Sequence, residues 1–228
     1  MIYDNHVKCD NIESITKVAK LLGWSGFVLV KKWKTGMKFE NKKKSGLNII
    51  SGAEIGGRPD EVRKMAQKLR KSVDIIVVKG GDLEVNRQAV ETPYVDVLIQ
   101  PWGDPINKLR NDPGFNHIMA KLAKKNSVFI DFNITDLIKS HKKTRVKLYS
   151  HMMKVAKLVK KYNTPFILSS GAISEWDMRS PSDLKSFGKI LGFEDSHIKK
   201  AISDVIIKEN QKRKKSGWIQ PGVEVVKS

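Results

Sequence analysis

Seven short apolar runs, at residues 2–3, 27–30, 47–50, 75–78, 95–99, 128–130 and 166–168, recur with room for a helix between each pair. Most are continuous and rich in Val and Ile, the pattern of strands covered on both faces. The intervening stretches carry helical stripes. Ile12, Ile15, Ala19 and Leu22 share one face, as do Val62, Met65, Ala66 and Leu69, and Leu148, Met152, Val155, Ala156 and Val159 form the longest stripe. A parallel sheet with helical crossovers is either doubly wound or closed into a barrel. No glycine fingerprint follows the first run, and polar residues end nearly all of them. The spacing therefore predicts a TIM-like β/α barrel, seven-stranded or with an irregular eighth strand. At 228 residues the expectation is a single barrel domain over 1–228, with a basic tail from about 208 that breaks the rhythm.

Lys and Arg number 43 against 24 Asp and Glu, a formal charge of +19. Such an excess repels itself unless a polyanion is nearby, which makes nucleic acid the first partner to consider. Only eight of the 43 are Arg, so scattered lysines carry less weight than clustered ones. The single cysteine, Cys9, excludes an internal disulfide and a multi-cysteine zinc site. No apolar run approaches the roughly 18 residues of a membrane span, and the start Met1-Ile2-Tyr3-Asp4 lacks the layout of a signal peptide. The expectation is a soluble, cytoplasmic protein with no membrane partner.

Two basic segments interrupt the repeat. Residues 31–44 hold seven lysines and one acid, with Trp33 and Phe39 interleaved and Gly36 to bend the loop. Phosphate neutralisation with a stacking surface reads this way, and so does a solvated loop with Trp33 folded inward. Residues 139–147 place Lys139, His141, Lys142, Lys143 and Arg145 at a helix start, and Lys154, Lys157, Lys160 and Lys161 continue along the polar side. This is a solvated helix face or a ridge that tracks phosphates. The run 208–215 is similar and reads as a flexible arm.

A barrel enzyme carries its chemistry at the carboxyl ends of its strands. That rim reads Asp4 and His6, Lys31 and Lys32, Glu54, Lys79, Gln100 and Trp102, Asp131, then Ser169 and Ser170. A hydrolytic metal cluster needs converging histidines and carboxylates, and the five histidines here never pair. No Ser-His-Asp or Cys-His arrangement is legible, so neither catalytic nor metal-binding residues are assigned. Glu54 and Asp131 read as anchors for lysines or backbone amides. The alternative is a metal-dependent phosphoesterase using Asp4, His6, Glu54 and Asp131. The turns Gly56-Gly57-Arg58-Pro59 and Gly80-Gly81-Asp82 could offer amides to a phosphate, yet fit no nucleotide fingerprint and read first as ordinary tight turns. Arg58, Arg87 and Arg179 rank higher, because a guanidinium grips phosphate oxygens bidentately. His117, with Lys121 and Lys124 one and two turns on, could line the same surface, although Phe115, Ile118 and Leu122 make it read as semi-buried.

The most specific segment begins at Phe166-Ile167-Leu168-Ser169-Ser170-Gly171-Ala172 and runs through Trp176 and Arg179 into Ser180-Pro181-Ser182-Asp183. Small residues after the strand permit close backbone approach, and Ser180, Pro181 and Asp183 suit a helix cap, its first position and its positive end. With Trp24-Ser25-Gly26-Phe27, Tyr94-Val95-Asp96-Val97-Leu98 and Pro221-Gly222-Val223, this segment makes the chain resemble the ribonuclease P protein component 3 family, the p30 subunit, of archaeal type, over nearly its whole length. The resemblance implies a barrel related to the metal phosphoesterases without their metal ligands. It implies a non-catalytic subunit of an endoribonuclease in which the RNA, using Mg²⁺, removes the 5′ leader of precursor tRNA, and a protein that itself binds no cofactor. Its implied partners are the ribonuclease P RNA, protein component 2, the other protein subunits and precursor tRNA. The residues expected to touch RNA are Lys31, Lys32, Arg58, Lys79, Arg87, His117, Lys121 and Arg179; of these only Arg179 lies inside the family motif.

Overall fold

The computed structural model describes residues 1–105, 108–214, 218–220 and 223–224. Seven strands form one parallel sheet: β1 (Tyr3–Val7), β2 (Gly26–Lys32), β3 (Leu47–Ile55), β4 (Ile75–Lys79), β5 (Val97–Ile99), β6 (Phe129–Asn133) and β7 (Phe166–Ser169). Each is hydrogen-bonded to the next in chain order. Nine helices accompany them: α1 (Ile12–Leu21), α2 (Pro59–Leu69), α3 (Leu83–Glu91), α4 (His117–Lys125), α5 (Ile134–Lys139), α6 (Lys142–Tyr162), α7 (Pro181–Ile190), α8 (Asp195–Ala201) and α9 (Val205–Arg213), counted among the described residues.

The apolar runs are continuous because both faces of each strand are covered. Val28, Val30, Ile75, Val77, Val97, Ile99 and Ile167 point into the barrel. Their neighbours Phe27, Leu29, Ile76, Leu98, Ile130 and Leu168 pack outward against the helices. The three helical stripes face that outer layer: Ile15, Ala66, Leu148, Met152 and Val155 are all fully buried. Period-two alternation thus survives as inside against outside, with both sides apolar.

Sheet closure differs between the two ends. At the carboxyl rim β1 meets the segment after β7 directly: Gly171 N–H donates to the His6 carbonyl at 3.0 Å and Lys8 N–H to the Ala172 carbonyl at 2.7 Å. Small residues make this approach possible, as the sequence suggested; Gly171 has φ +62°. At the other end the gap is filled by the turn between α8 and α9. Tyr3 N–H donates to the Ile202 carbonyl at 2.9 Å. The Asn5 side-chain amide donates to the carbonyls of Ala201 and Ser203 at 3.2 and 3.0 Å. A helix–turn–helix corner occupies the eighth position, so no apolar run marks it.

The lysine-rich end of the chain departs most from its sequence reading. Rather than an arm, Val205–Arg213 is a helix that closes the barrel floor. Ile206 enters the interior layer, and Arg213 is fully buried against Asp96, with Nη1 2.8 Å from Oδ1. The exposed lysines 208 and 212 mask a buried face of Ile206, Asn210 and Arg213, two of which are polar. Residue 215 and the Pro221-Gly222 pair lie outside the described residues.

The 31–44 segment also folds inward. Lys42–Lys44 adds an antiparallel strand to the start of β3, and Trp33 and Phe39 pack on the core. Trp33 is packed only in part, and Lys32, Lys34 and Lys38 around it stay exposed. The cap after β7 forms as expected: Ser180 Oγ accepts from Asp183 N–H, and Asp183 reaches back to Ser180 N–H. Among the described residues no helix is long and apolar enough to cross a membrane.

Candidate functional site at the carboxyl rim

Strand β1 runs on through Asp4, Asn5 and His6, all buried, so Asp4 and His6 lie within the strand rather than at its exposed end. Two residues apart, they share one face. His6 Nδ1 sits 2.6 Å from Asp131 Oδ2, and Ser169 Oγ donates to Asp131 Oδ1 at 2.7 Å. Asp131 therefore anchors an imidazole and a hydroxyl, not the lysine or amide expected of it. Asp4 Oδ1 accepts from Ser170 N–H at 3.0 Å. Burial pushes the Asp4 carboxyl up to about 6, against the opposing hydrogen bonds from Ser170.

Further round the rim, Gln100 Nε2 donates to both oxygens of Asp136, at 3.0 and 2.9 Å. Burial pushes Asp136 up to about 6 as well; the Gln100 bond opposes this and the nearby Asp131 charge adds to it. Glu54 is bound by the Lys8 ammonium at 2.5 Å. Burial would raise its carboxyl, but Lys8 holds it below the usual carboxylate range. Lys79 reaches Asp104 at 2.8 Å; burial lowers its ammonium, and the bond to Asp104 reverses that to a net rise.

Glu54 and both oxygens of Asp131 are thus committed to neighbours, whereas Asp4 Oδ2 and His6 Nε2 are buried without a hydrogen-bond partner among the described residues. Among the described residues no group of three or more His, Cys, Asp or Glu could hold a metal ion. Of the four candidates, Asp131 binds His6 and Ser169, Glu54 binds Lys8, and Asp4 accepts from Ser170 through one oxygen only. Three members of this network, Lys8, Asp104 and Asp136, were not singled out from the sequence. Asp136 lies in the first turn of α5 and Lys8 just past β1, positions with no pattern to mark them.

The buried carboxyls set a pH dependence. Native values near 6 exceed the ordinary 3.8, so between those values the folded state holds more protons than the unfolded chain. The contribution of these groups to stability falls as pH rises from 4 to about 6.5 and stays low above that. Asp4→Asn keeps a carbonyl oxygen for Ser170 and removes the buried charge. It is expected to be more stable than the parent by about 1–3 kcal/mol at pH 7.5, with the difference vanishing near pH 4. Urea titrations at the two pH values check this.

The basic residues singled out from the sequence do not converge on one patch. Lys32 and Lys79 line a common groove beside the rim, Lys31 lines a separate one, and Arg58 stands at the start of α2. Arg58 and Arg87 are exposed and pair with Glu61 and Glu91 at 3.2 and 2.7 Å. His117 is exposed at the first position of α4, not semi-buried, because Phe115 and Met119 turn inward beside it. Lys121 stands 5.6 Å from the centre of the Tyr162 ring. Arg179, after β7, donates through Nη1 to the carbonyls of Trp176 and Met178, both at 2.9 Å. Among the described residues it meets no carboxylate, which leaves its other donors for a ligand.

Fold and rim together define a cationic β/α barrel whose mouth is sealed by its own ion pairs and hydrogen bonds. A family model described as RNase P subunit p30 matches residues 1–215. The chain belongs to that family and is a protein subunit of the ribonuclease P ribonucleoprotein enzyme. It is 31% identical to ribonuclease P protein component 3 of Methanosarcina mazei, over 94% of this chain and 89% of that one. With component 3 of Methanothermobacter thermautotrophicus it shares 32%, over 88% and 85%. A chain in the cryo-EM structure of archaeal ribonuclease P with mature tRNA superposes with a TM-score of 0.79 at 26% identity, covering 98% of both chains. The histidinol phosphate phosphatase of Lactococcus lactis, at TM-score 0.55 and 10% identity over 84% of this chain and 92% of that one, shares the fold alone.

Proposed function

We propose that this subunit binds the ribonuclease P RNA and supports its removal of the 5′ leader from precursor tRNA, acting with protein component 2 and the other protein subunits. The full-length likeness to a chain of the archaeal ribonuclease P assembly carries this reading. The charge of +19 supplies the physics. Folded RNA crowds phosphates where Mg²⁺ must sit, and a protein that neutralises some of them lowers the magnesium needed for the active shape. The RNA holds the metal and performs the hydrolysis; the sealed rim of the protein supports that division of labour.

Reconstitution tests it. The purified chain alone is expected to leave precursor tRNA intact. Added with component 2 to the RNA, it should shift the magnesium midpoint of leader removal downward. Cleavage by the protein alone, or an unshifted midpoint, counts against the proposal.

The proposed RNA contacts are Lys31, Lys32, Arg58, Lys79, Arg87, His117, Lys121 and Arg179. Lys31 and Lys32 have no carboxylate partner among the described residues, whereas Arg58, Lys79 and Arg87 must trade one for a phosphate. Lys32→Ala should therefore reduce the slope of log affinity against log salt by about 0.7–0.9. Arg179→Ala is expected to weaken RNA binding by about 1–3 kcal/mol, the range of a charge-assisted hydrogen bond, with the thermal transition nearly unmoved. Unchanged binding with a large loss of stability would make Arg179 a clamp of its own loop.

A further inference from the structure

A groove of about 1000 Å³ opens beside the sealed mouth, where β3 and β4 lead into α2 and α3. Its lining is apolar at Trp33, Ile55, Met65 and Val85 and cationic at Lys32, Lys64 and Lys79. The two glycine turns that fit no nucleotide fingerprint, at Gly56-Gly57 and Gly80, also line it. A side chain added at Gly56 would meet nothing within 4 Å.

The acids in the lining are spoken for. Glu54 is held by Lys8. Glu61 binds the Arg58 guanidinium and accepts from its backbone N–H. Asp82 caps α3, accepting from the N–H groups of Glu84 and Val85. Lys32, by contrast, has no carboxylate within ion-pair distance among the described residues. Trp33 is fixed from behind, with its backbone N–H on the Glu54 carbonyl at 2.8 Å and its ring partly packed on the core. Lys79 is held by Asp104 and Lys64 by Asp60, so an aromatic surface already immobilised beside one unneutralised cation, Lys32, suits one planar heterocycle with one phosphate. It does not suit a paired helix, whose bases are stacked away from such a surface.

We propose that this groove receives a single unpaired nucleotide of the RNA, the base lying against Trp33 and Met65 and the phosphate near Lys32 and Lys79. The inference rests on the RNA-binding reading above and adds to it the recognition of a base that has left its helix. The ligand chemistry is that of a nucleoside monophosphate unit, which a free nucleotide would share.

The test uses the full chain and two labelled RNA hairpins, identical except that one carries a bulged adenosine, followed by fluorescence anisotropy. The bulged hairpin is expected to bind about tenfold more tightly, the scale of one stacked base. Gly56→Leu projects a side chain into the open groove without touching the core. It should abolish the preference while keeping affinity for the paired hairpin and the melting temperature. Trp33→Leu should also abolish it; because that ring packs partly on the core, Gly56→Leu decides if Trp33→Leu fails to fold. Equal affinity of the parent for both hairpins, or a preference that survives Gly56→Leu, overturns the groove alone. Failure to bind either hairpin overturns the RNA-binding reading with it. Adenosine monophosphate serves as competitor: displacement of the bulged hairpin at micromolar concentration would assign the groove to a free nucleotide and overturn the RNA assignment, and absence of displacement supports it.

Discussion

Arg213→Ala is expected to destabilise the fold by about 3–5 kcal/mol, the cost of removing one partner from a buried ion pair. Arg213 and Arg70 grip the same carboxylate: Asp96 Oδ1 lies 2.8 Å from Arg213 and Oδ2 lies 2.7 Å from Arg70. Asp96 also accepts from Ile76 N–H at 2.7 Å, which ties the triad to β4. Arg213 further donates to the carbonyls of Val95, Asn126 and Ser127 at 2.7–2.9 Å. Its removal strands those carbonyls and unpins α9 from the floor. Asp96→Ala is expected to be as damaging, since it leaves two buried guanidinium groups without their shared anion. The double variant should cost less than the sum of the two. Equilibrium denaturation of the three proteins checks this, and additive losses would mean that the pair is not coupled.

Gly171→Val should cost about 2–5 kcal/mol, from a left-handed backbone and from overpacking together. A side-chain carbon at residue 171 would stand 1.9 Å from the Asn133 amide nitrogen. Asn133 caps α5 through Asp136 N–H at 3.2 Å and has little room to withdraw. Gly171 is also where β1 and β7 join, so displacing it opens the barrel at the rim. Gly171→Ala keeps the clash and part of the strain and should lie between the parent and Gly171→Val. Gly56→Ala, placed in open space, is the control and should melt with the parent. A Gly171→Val protein that melts with the parent would show that the closure tolerates a bulky residue.

The rim shows where sequence reading reaches its limit. Most of its residues were legible one by one as strand ends: Glu54, Lys79, Gln100 and Ser169 lie at or just past the carboxyl ends of their strands, whereas Asp131 sits within its strand. Their pairings were not. His6 with Asp131 spans 125 positions and Ser170 with Asp4 spans 166, and nothing local encodes contacts over such separations. Asp4 and His6 read as polar punctuation after a short strand, yet are buried in its middle, because the partners that offset their burial come from β6 and the end of β7. Likewise a basic helix face at 205–213 concealed Arg213, whose burial depends on Asp96 being brought beneath it.

What the sequence determined alone is the repeat. Apolar runs of strand length alternate with stripes of helical period, and covering both faces of every strand leaves few arrangements besides a parallel barrel wrapped in helices. The helix caps, including Ser180 and Asp183, were fixed locally too, since cap and partner lie within one turn. Tertiary structure alone decided how the ring closes, which charges neutralise one another, and which cations stay available to a partner. Burial and pairing of a charge are properties of the space around it, and that space exists only once distant strands have met.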